Sequence, residues 1–390
     1  MIIAFSVGLT GCASESEPES SNKPRIGNNK SNKRRKKQKK NKSVVCHSQE
    51  CKEARVNLKD GKNKLAIALF KRGLLVNPKC ARAHLGIAKA EFALNEGEKA
   101  LQEIGKAVAL NPNMLEAYLL QASIYSQQQR HDKAISSLTQ AIKLDPTLAS
   151  SYYLRARAAY FATWFDDDDE APDMIADLEK ALALNPSYAE AHEAKGIYLA
   201  SKHKVKEAIA SFSKAIELKP TYDSYLNRAA GYSYFNEFDK ALSDIYQAIK
   251  ISPNDPHAYR VKAGLMEELE RYDESVKDYT KVLELVPSDY RVYAARAKVY
   301  EKMKQYGKAL SDYEAIIKAH PEDESAFKQR GDLLAKLNRN EEALVDYNSA
   351  IRIYPNSVKT LTSRSKVLEK LGFSDKASQD ASRAKELLRK

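Results

Sequence analysis

The 390-residue chain carries 64 Lys and Arg against 52 Asp and Glu, a net charge of +12. Residues 1–46 contain eleven of these basic residues and only three acidic ones, so the remainder is close to neutral. The basic character therefore belongs to a tail, which argues against a nucleic-acid-binding domain in the body of the chain. No stretch of the sequence approaches the ~20 apolar residues of a membrane-spanning helix.

The N-terminus joins an apolar run to small residues around a cysteine. Residues 1–9 are mostly apolar and lead into Leu9-Thr10-Gly11-Cys12. An apolar run that closes on small residues is typical of a secretory segment, and this motif resembles the lipobox of bacterial lipoproteins. The resemblance implies that residues 1–12 are a signal segment whose Cys12 is diacylated, and Ala13 would permit sorting to an outer membrane. The run is short and lacks a preceding Lys or Arg, which a start codon assigned too late would explain. The alternative is a fortuitous cysteine in an apolar terminus.

Residues 13–46 form a polar segment that becomes rich in Lys and Arg, most densely over residues 33–40. This composition cannot bury a core and predicts a disordered linker. Behind a lipid anchor its charges would attract anionic head groups, at ~1 kcal/mol per residue near the surface. The alternative is a nuclear-localisation or nucleic-acid-binding tail. No aromatic residues interleave with the charges, so base stacking has no support.

Nine prolines recur from position 78 onward, and the sequence numbers of successive prolines differ by 34, 34, 40, 34, 33, 34, 34 and 34. Small residues stand 12 and five positions before most of them, and a large residue stands eight positions before each. Earlier in each unit an aromatic residue or His precedes a small residue by four. These spacings put the residues on one helical face, and two such runs per unit predict an antiparallel helix pair that the proline ends. The prolines are Pro78, Pro112, Pro146, Pro186, Pro220, Pro253, Pro287, Pro321 and Pro355.

This pattern resembles the tetratricopeptide repeat family over about ten units, which cover residues 47–390. The resemblance implies an all-α, right-handed superhelical solenoid of helix-turn-helix units, in which each unit contacts only its neighbours. The second helix of the last unit is mostly polar, as a capping helix should be. The architecture serves many functions, so the resemblance does not identify a partner.

Three further cysteines, Cys46, Cys51 and Cys80, lie around the first unit. An antiparallel helix pair brings the end of its second helix beside the start of its first, which places Cys80 near the other two. One disulfide stapling the first unit is therefore expected in an oxidising envelope, with Cys51 and Cys80 as the candidate pair. Unpaired cysteines at a fraying end are the alternative. The spacing from Cys46 to Cys51 does not fit a zinc site.

The fourth unit contains six additional residues within 161–173, a segment that includes Trp164 and four consecutive Asp. The insertion is expected to enlarge the turn between the two helices. Clustered carboxylates can bind a hard cation, but the spacing is not that of an EF-hand loop. A solvated acidic loop is the favoured interpretation.

A cation stands 25 positions before several prolines, and an acid often stands nine positions before. Pairing of the two helices brings these positions together, so interior ion pairs are predicted in place of a ligand site, each stabilising by ~1 kcal/mol if partly exposed. Only Lys195 lacks the matching acid. The cations are Arg228, Lys262, Arg296 and Arg330, with Arg155, Lys195 and Arg364 equivalent; the acids are Asp177, Asp244, Asp278, Asp312, Asp346 and Asp380.

Catalytic signatures are missing from the sequence. His192-Glu193 is not followed by a second His at the spacing of a metalloprotease helix, and neither a Gly-rich phosphate loop nor a nucleophile elbow occurs. We therefore expect no enzyme activity, no cofactor and no metal.

By the family resemblance, the first helices line a concave groove with residues about 30, 27, 23 and 20 positions before each proline. In the middle units these positions are apolar, and in later units they are basic, diluted by Glu267, Glu301, Asp332 and Glu369. The carboxylate clamp of some family members is not matched, and an ordinary solvated helix face is the alternative. The candidate partner-binding residues are Leu119, Tyr153, Tyr160, Ile197, Leu226, Arg260, Arg291, Lys298, Lys328, Lys359 and Lys366.

The sequence thus favours a non-catalytic scaffold that binds a protein or peptide partner. The lipobox resemblance adds a lipid-anchored location on the bacterial outer membrane, facing the periplasm. The alternative is a soluble scaffold in the cytoplasm or nucleus, either co-chaperone-like or associated with nucleic acid. Its basic tail would then be a targeting signal. A regulatory repeat region of a glycosyltransferase would require a catalytic domain, for which this sequence shows no signature.

Overall fold

A computed structural model describes residues 48–165 and 173–389, which contain 20 α-helices and no β-strand. They form two compact units, the first ending at Lys219 and the second beginning at Pro220, where the proline spacing is 33 in place of 34. The helices of the first unit are α1 (Gln49–Lys59), α2 (Asn63–Val76), α3 (Ala81–Ala93), α4 (Gly97–Leu110), α5 (Leu115–Gln127), α6 (His131–Leu144), α7 (Ala149–Phe165), α8 (Met174–Leu184), α9 (Ala189–Ser201) and α10 (Val205–Leu218). The helices of the second unit are α11 (Tyr222–Tyr234), α12 (Phe238–Ile251), α13 (Pro256–Glu268), α14 (Tyr272–Leu285), α15 (Tyr290–Lys302), α16 (Tyr306–Ala319), α17 (Glu324–Lys336), α18 (Asn340–Ile353), α19 (Val358–Lys370) and α20 (Ser374–Leu387).

The helices pack in consecutive antiparallel pairs, α1 with α2 through α19 with α20, which confirms the predicted helix-turn-helix repeat. Within each unit the second helix of a pair also packs against the first helix of the next pair. The odd-numbered helices are called first helices and the even-numbered ones second helices below.

Each turn inside a helix pair depends on one residue with a left-handed backbone, wherever the structure describes that turn; the turn between α7 and α8 lies outside the described residues. This residue is Gly61 or Gly372 at the two ends and is otherwise not glycine, as in Asn95 with φ of 61° and Lys304 with φ of 58°. The next N–H then bonds back to a carbonyl five residues earlier; Gln305 N donates to Tyr300 O at 2.8 Å. This arrangement satisfies carbonyls that the helix end leaves unpaired.

The turns between helix pairs use different side chains in the two units. In the first unit the residue before the proline is Asn or Asp, and its Oδ1 accepts the N–H two residues later, as Asp145 does from Thr147 N at 2.9 Å. In the second unit a residue after the proline caps the next helix, as Asp255 does by accepting His257 N at 2.8 Å. The first arrangement satisfies a backbone donor in the turn before the helix, and the second satisfies a donor in the first turn of the helix. The other residues of the first kind are Asn77, Asn111 and Asn185; those of the second kind are Thr221, Asp289, Asp323 and Ser357.

The core consists of small and large residues that alternate along the second helices. The alanines 12 positions before the prolines are almost completely buried, and so are the large residues eight positions before. A Cβ at Gly196 would lie 2.5 Å from Cε1 of Phe212, so α9 and α10 reach their close packing only because this position has no side chain.

The cysteines of the first helix pair correct one prediction. Cys80 is disulfide-bonded, but Cys51, which is 1% exposed, is a free thiol. The pair Cys51–Cys80 is therefore wrong, and the sulfur bound to Cys80 lies outside the described residues. Cys51 packs instead against Gly73, where a Cβ would lie 2.4 Å from its Sγ.

Several predictions fall on residues that the structure does not describe. They concern the signal segment 1–12 with Cys12, the linker 13–46, Cys46 and the consecutive Asp of the insertion. In the described ranges, every helix is too short or too polar to cross a bilayer.

Candidate partner-binding face

The predicted ion pairs between first and second helices are present in both units. Each guanidinium approaches its carboxylate through two nitrogens: Arg296 Nε lies 2.9 Å from Asp312 Oδ2 and Nη2 lies 2.7 Å from Oδ1. The carboxylates are almost buried and the Arg side chains are 15–24% exposed. These cations are structural, as predicted. The pairs are Arg155–Asp177, Arg228–Asp244, Lys262–Asp278, Arg296–Asp312, Arg330–Asp346 and Arg364–Asp380.

The same cations also reach the preceding helix pair, which the sequence pattern did not indicate. Arg296 Nη1 donates to Thr280 Oγ1 at 2.9 Å, and Arg364 Nη1 donates to Asn348 Oδ1 at 2.8 Å. Lys195, which lacks the acid in its own pair, bonds Glu179 of α8 at 3.0 Å. Each of these cations therefore joins consecutive repeats. The sequence pattern could have indicated these contacts, because all three partners stand seven positions before a proline.

Lys262 makes a weaker connection than the arginines. Its Nζ lies 3.0 Å from Asp278 Oδ1 and 5.0 Å from the centre of the Tyr246 ring. The second carboxylate oxygen, Oδ2, is buried without a hydrogen-bond partner. Burial raises the pKa of Asp278, and the hydrogen bond from Lys262 offsets this only in part.

The apolar half of the predicted groove is largely interior, which corrects that prediction. Tyr153, Ile197 and Leu226 are 4%, 5% and 4% exposed. Tyr153 packs among α7, α8 and α9, with its ring 5.0 Å from that of Tyr188. Side chains buried to this extent hold the helices together and cannot anchor a partner. Leu119 and Tyr160 are half-buried and stay candidates.

The basic half of the predicted groove is mostly solvent-exposed. Arg260, Arg291, Lys298, Lys359 and Lys366 are exposed, and Lys328 is half-buried. Two of the six face carboxylates: Arg260 Nη1 lies 3.7 Å from Asp289 Oδ2, and Lys328 pairs with Asp332.

Tyrosine hydroxyls from the second helices hold two of the acids on this face. Tyr313 Oη donates to Glu301 Oε1 at 2.8 Å, and Tyr347 Oη donates to Asp332 Oδ1 at 2.8 Å. Burial, followed by the hydrogen bond to the neighbouring carboxylate, raises the pKa of both tyrosines. These contacts were not predicted from the sequence, although the large residue eight positions before the proline is Tyr in both repeats.

Within the described ranges, no cluster of three or more His, Cys, Asp and Glu side chains is placed to hold a metal ion. Asp278, Tyr313 and Tyr347, whose pKa values are raised, belong to the helix contacts already described.

The fold is that of an α-solenoid protein. It is built from repeated helix pairs, and the first helices carry exposed charged side chains. Sequence models of the tetratricopeptide repeat match residues 115–148, 51–114, 175–223 and 294–358, which together exceed half of the chain. The chain belongs to the tetratricopeptide repeat family.

Individual relatives match only parts of the chain. A UDP-N-acetylglucosamine–peptide N-acetylglucosaminyltransferase of Giardia intestinalis is 34% identical over 86 residues, 22% of this chain and 6% of that protein. A lipoprotein NlpI homolog of Haemophilus influenzae is 34% identical over 86 residues, 22% of this chain and 27% of that protein. The chain thus spans a minor part of both relatives. The crystal structure of YrrB, a TPR protein with an unusual peptide-binding site, is 24% identical with a TM-score of 0.42, covering 50% of this chain and 97% of that one.

Proposed function

We propose that this protein is a non-catalytic scaffold that binds a protein or peptide partner on the exposed surface of its first helices. The observation that carries the proposal is the set of exposed cations on these helices, from Arg260 in α13 to Lys366 in α19. The Arg and Lys residues paired to buried aspartates keep the repeats together, so the exposed set is available for recognition. Recognition by charged and half-buried side chains requires no reacting group.

Site-specific cross-linking tests the binding surface. A photo-reactive amino acid at position 298, on the first helix α15, should cross-link a partner in cells. The same amino acid at position 318, on the second helix α16, is the matched control because Lys318 is also exposed. A partner captured only from position 298 supports the proposal. A partner captured only from position 318 places the binding surface on the second helices and contradicts it.

We also propose that the protein is a cell-envelope lipoprotein anchored through Cys12. The resemblance of Leu9-Thr10-Gly11-Cys12 to a lipobox supports this location, as does the stretch of similarity to a relative named as a lipoprotein. The basic linker would then lie next to the anionic membrane surface.

Metabolic labelling tests the anchor. The wild type, expressed from its native start codon, should incorporate labelled palmitate and partition with membranes, and Cys12→Ala should release it. Cys51→Ala is the control, because Cys51 is buried and should not be acylated. A soluble, unlabelled wild type would rule out the anchor and favour the cytoplasmic or nuclear alternative.

A further inference from the structure

Four cations on two first helices of the second unit have no carboxylate partner in the described ranges. Arg291 and Lys298 on α15, and Lys359 and Lys366 on α19, are all exposed. Arg291 lies near the ring of its neighbour Tyr290, 6.0 Å from the ring centre. Among the described residues, no Asp or Glu side chain forms an ion pair with any of the four.

The acids between these cations are already engaged. Glu301 accepts a hydrogen bond from the hydroxyl of Tyr313. Asp332 accepts one hydrogen bond from Tyr347 and one from Lys328. Of the three acids on this face, Glu369 at the end of α19 is exposed and has no such contact among the described residues. The four cations and Lys328 outnumber Glu301, Asp332 and Glu369, so the net charge of this face is positive, and a ligand that complements it is anionic.

The spacing of the four cations indicates the form of that ligand. In each helix the two cations are seven positions apart, which is two turns, so they lie on one face and about 10.5 Å apart along the axis. In a polyproline II peptide, residues three apart point to the same side and lie ~9.3 Å apart. Carboxylates at every third position of an extended peptide would therefore match the cations of one helix.

We propose that α15 and α19 each bind an acidic, extended peptide segment whose carboxylates recur at every third position. This inference rests on the proposed scaffold function and specifies its ligand. Glu301, Asp332 and Glu369 interrupt the basic surface and would repel a continuous run of phosphates in a nucleic acid. A peptide can present acids at separate positions and neutral residues opposite the protein's own carboxylates.

The test measures binding of two fluorescent peptides to the full chain by anisotropy. Both are dodecapeptides with the same Asp, Glu, Ala and Pro content. One carries its acids at every third position, and the other carries them in one block. The spaced peptide should bind more tightly, and its affinity should fall with added salt.

Charge reversal then locates the site. Arg291→Glu with Lys298→Glu should remove the site on α15, and Lys359→Glu with Lys366→Glu should remove the site on α19. The variant that combines all four changes should bind the spaced peptide at least about tenfold more weakly at low salt, because favourable contacts become unfavourable. Lys318→Glu with Arg352→Glu is the matched control, since these exposed cations occupy equivalent positions in α16 and α18. The control pair should weaken binding less than about twofold, and circular dichroism confirms that all variants are folded.

Three outcomes would overturn the inference. They are equal binding of the two peptides, an equal loss in the control pair, or tighter binding of single-stranded nucleic acid that depends on the same four cations. If position 298 still cross-links a partner in cells, the scaffold function stands and only the acidic ligand is wrong. If position 298 captures none and the peptides do not bind, both proposals fail.

Discussion

At the scale of single residues, the chain's stability depends on how many donors each buried carboxylate receives. Arg296 gives Asp312 two hydrogen bonds and Thr280 a third, so one side chain connects three helices. Lysine offers a single ammonium and cannot reproduce this planar fork. The Lys262–Asp278 pair shows the consequence, because Asp278 Oδ2 is left without a partner.

Lys262→Arg should therefore stabilise the protein at neutral pH, by about 1 kcal/mol, since a second charge-assisted hydrogen bond becomes available. The raised pKa of Asp278 means that the folded state holds its proton more tightly than the unfolded state. This carboxyl favours folding at acid pH, and its contribution falls as pH rises from the ordinary value of 3.8 through the raised folded pKa. The arginine should lower that pKa and flatten this part of the pH dependence.

Urea unfolding of both proteins at pH 7 and pH 4 checks this prediction. The gain in stability from Lys262→Arg should be larger at pH 7 than at pH 4, because a larger fraction of Asp278 is ionised at the higher pH. An equal gain at the two pH values would show that the unpaired Oδ2 is not the cause.

Arg296→Ala should cost about 2–3 kcal/mol, because it leaves the carboxylate of Asp312 in the helix interface without its partner. Asp312→Ala should then cost less in the Arg296→Ala background than in the wild type, as expected for coupled residues. Denaturant unfolding of the four proteins measures the coupling. Additive effects, together with a loss of partner binding, would make Arg296 a binding residue.

At the scale of secondary-structure elements, the approach of the two helices in a pair is set by the smallest side chains. Large residues of the second helices, such as Phe212, occupy space that a β-carbon on the facing helix would fill. The turns between helix pairs accept more than one kind of residue. The first unit uses an Asn or Asp before the proline, and the second unit uses a capping residue after it.

Gly196→Ala and Gly105→Ala should have opposite effects in the first unit. A Cβ at position 196 would meet the ring of Phe212 at 2.5 Å, and such overpacking costs typically about 1–3 kcal/mol. A Cβ at position 105 has no atom within 4 Å, so Ala should stabilise α4 by roughly 0.5–1 kcal/mol through its better helix propensity. Thermal unfolding should give a lower midpoint for the first variant and a higher one for the second. Stabilisation by Gly196→Ala would show that α9 and α10 can separate without cost.

At the scale of the whole molecule, each unit is a series of helix pairs that contact only their neighbours. Arg, Lys and Thr side chains connect one pair to the next. Stability in such an array is approximately a sum of repeat terms and nearest-neighbour interface terms. A local defect should therefore spread only to adjacent repeats.

Asp312→Ala should accelerate amide hydrogen exchange in α15 and α16, where the ion pair is lost, and less strongly in α14 and α17. Helices α1 to α8, in the first unit, should keep wild-type exchange rates. Hydrogen exchange followed by mass spectrometry resolves these segments. Uniform acceleration over the whole chain would indicate a single cooperative fold in place of a nearest-neighbour array.

The repeat, the helix pairs and the interior ion pairs could all be predicted from the sequence, because each depends on spacing. A proline that recurs once per repeat ends a helix, and side chains three or four positions apart share a face wherever the helix lies. Arg228 and Asp244 could be assigned to each other because antiparallel pairing fixes which positions meet.

Burial of individual side chains was decided only by the tertiary structure. Tyr153, Ile197 and Leu226 stand at the same repeat positions as exposed residues, and they are interior because of what packs over them. The partner of Glu301 was likewise decided by the fold, because Tyr313, a residue of α16, donates its hydroxyl hydrogen bond to it. The free thiol of Cys51 and its packing against Gly73 were also seen only in the fold. Periodicity specifies a position along one helix, whereas burial and pairing depend on side chains that other helices supply.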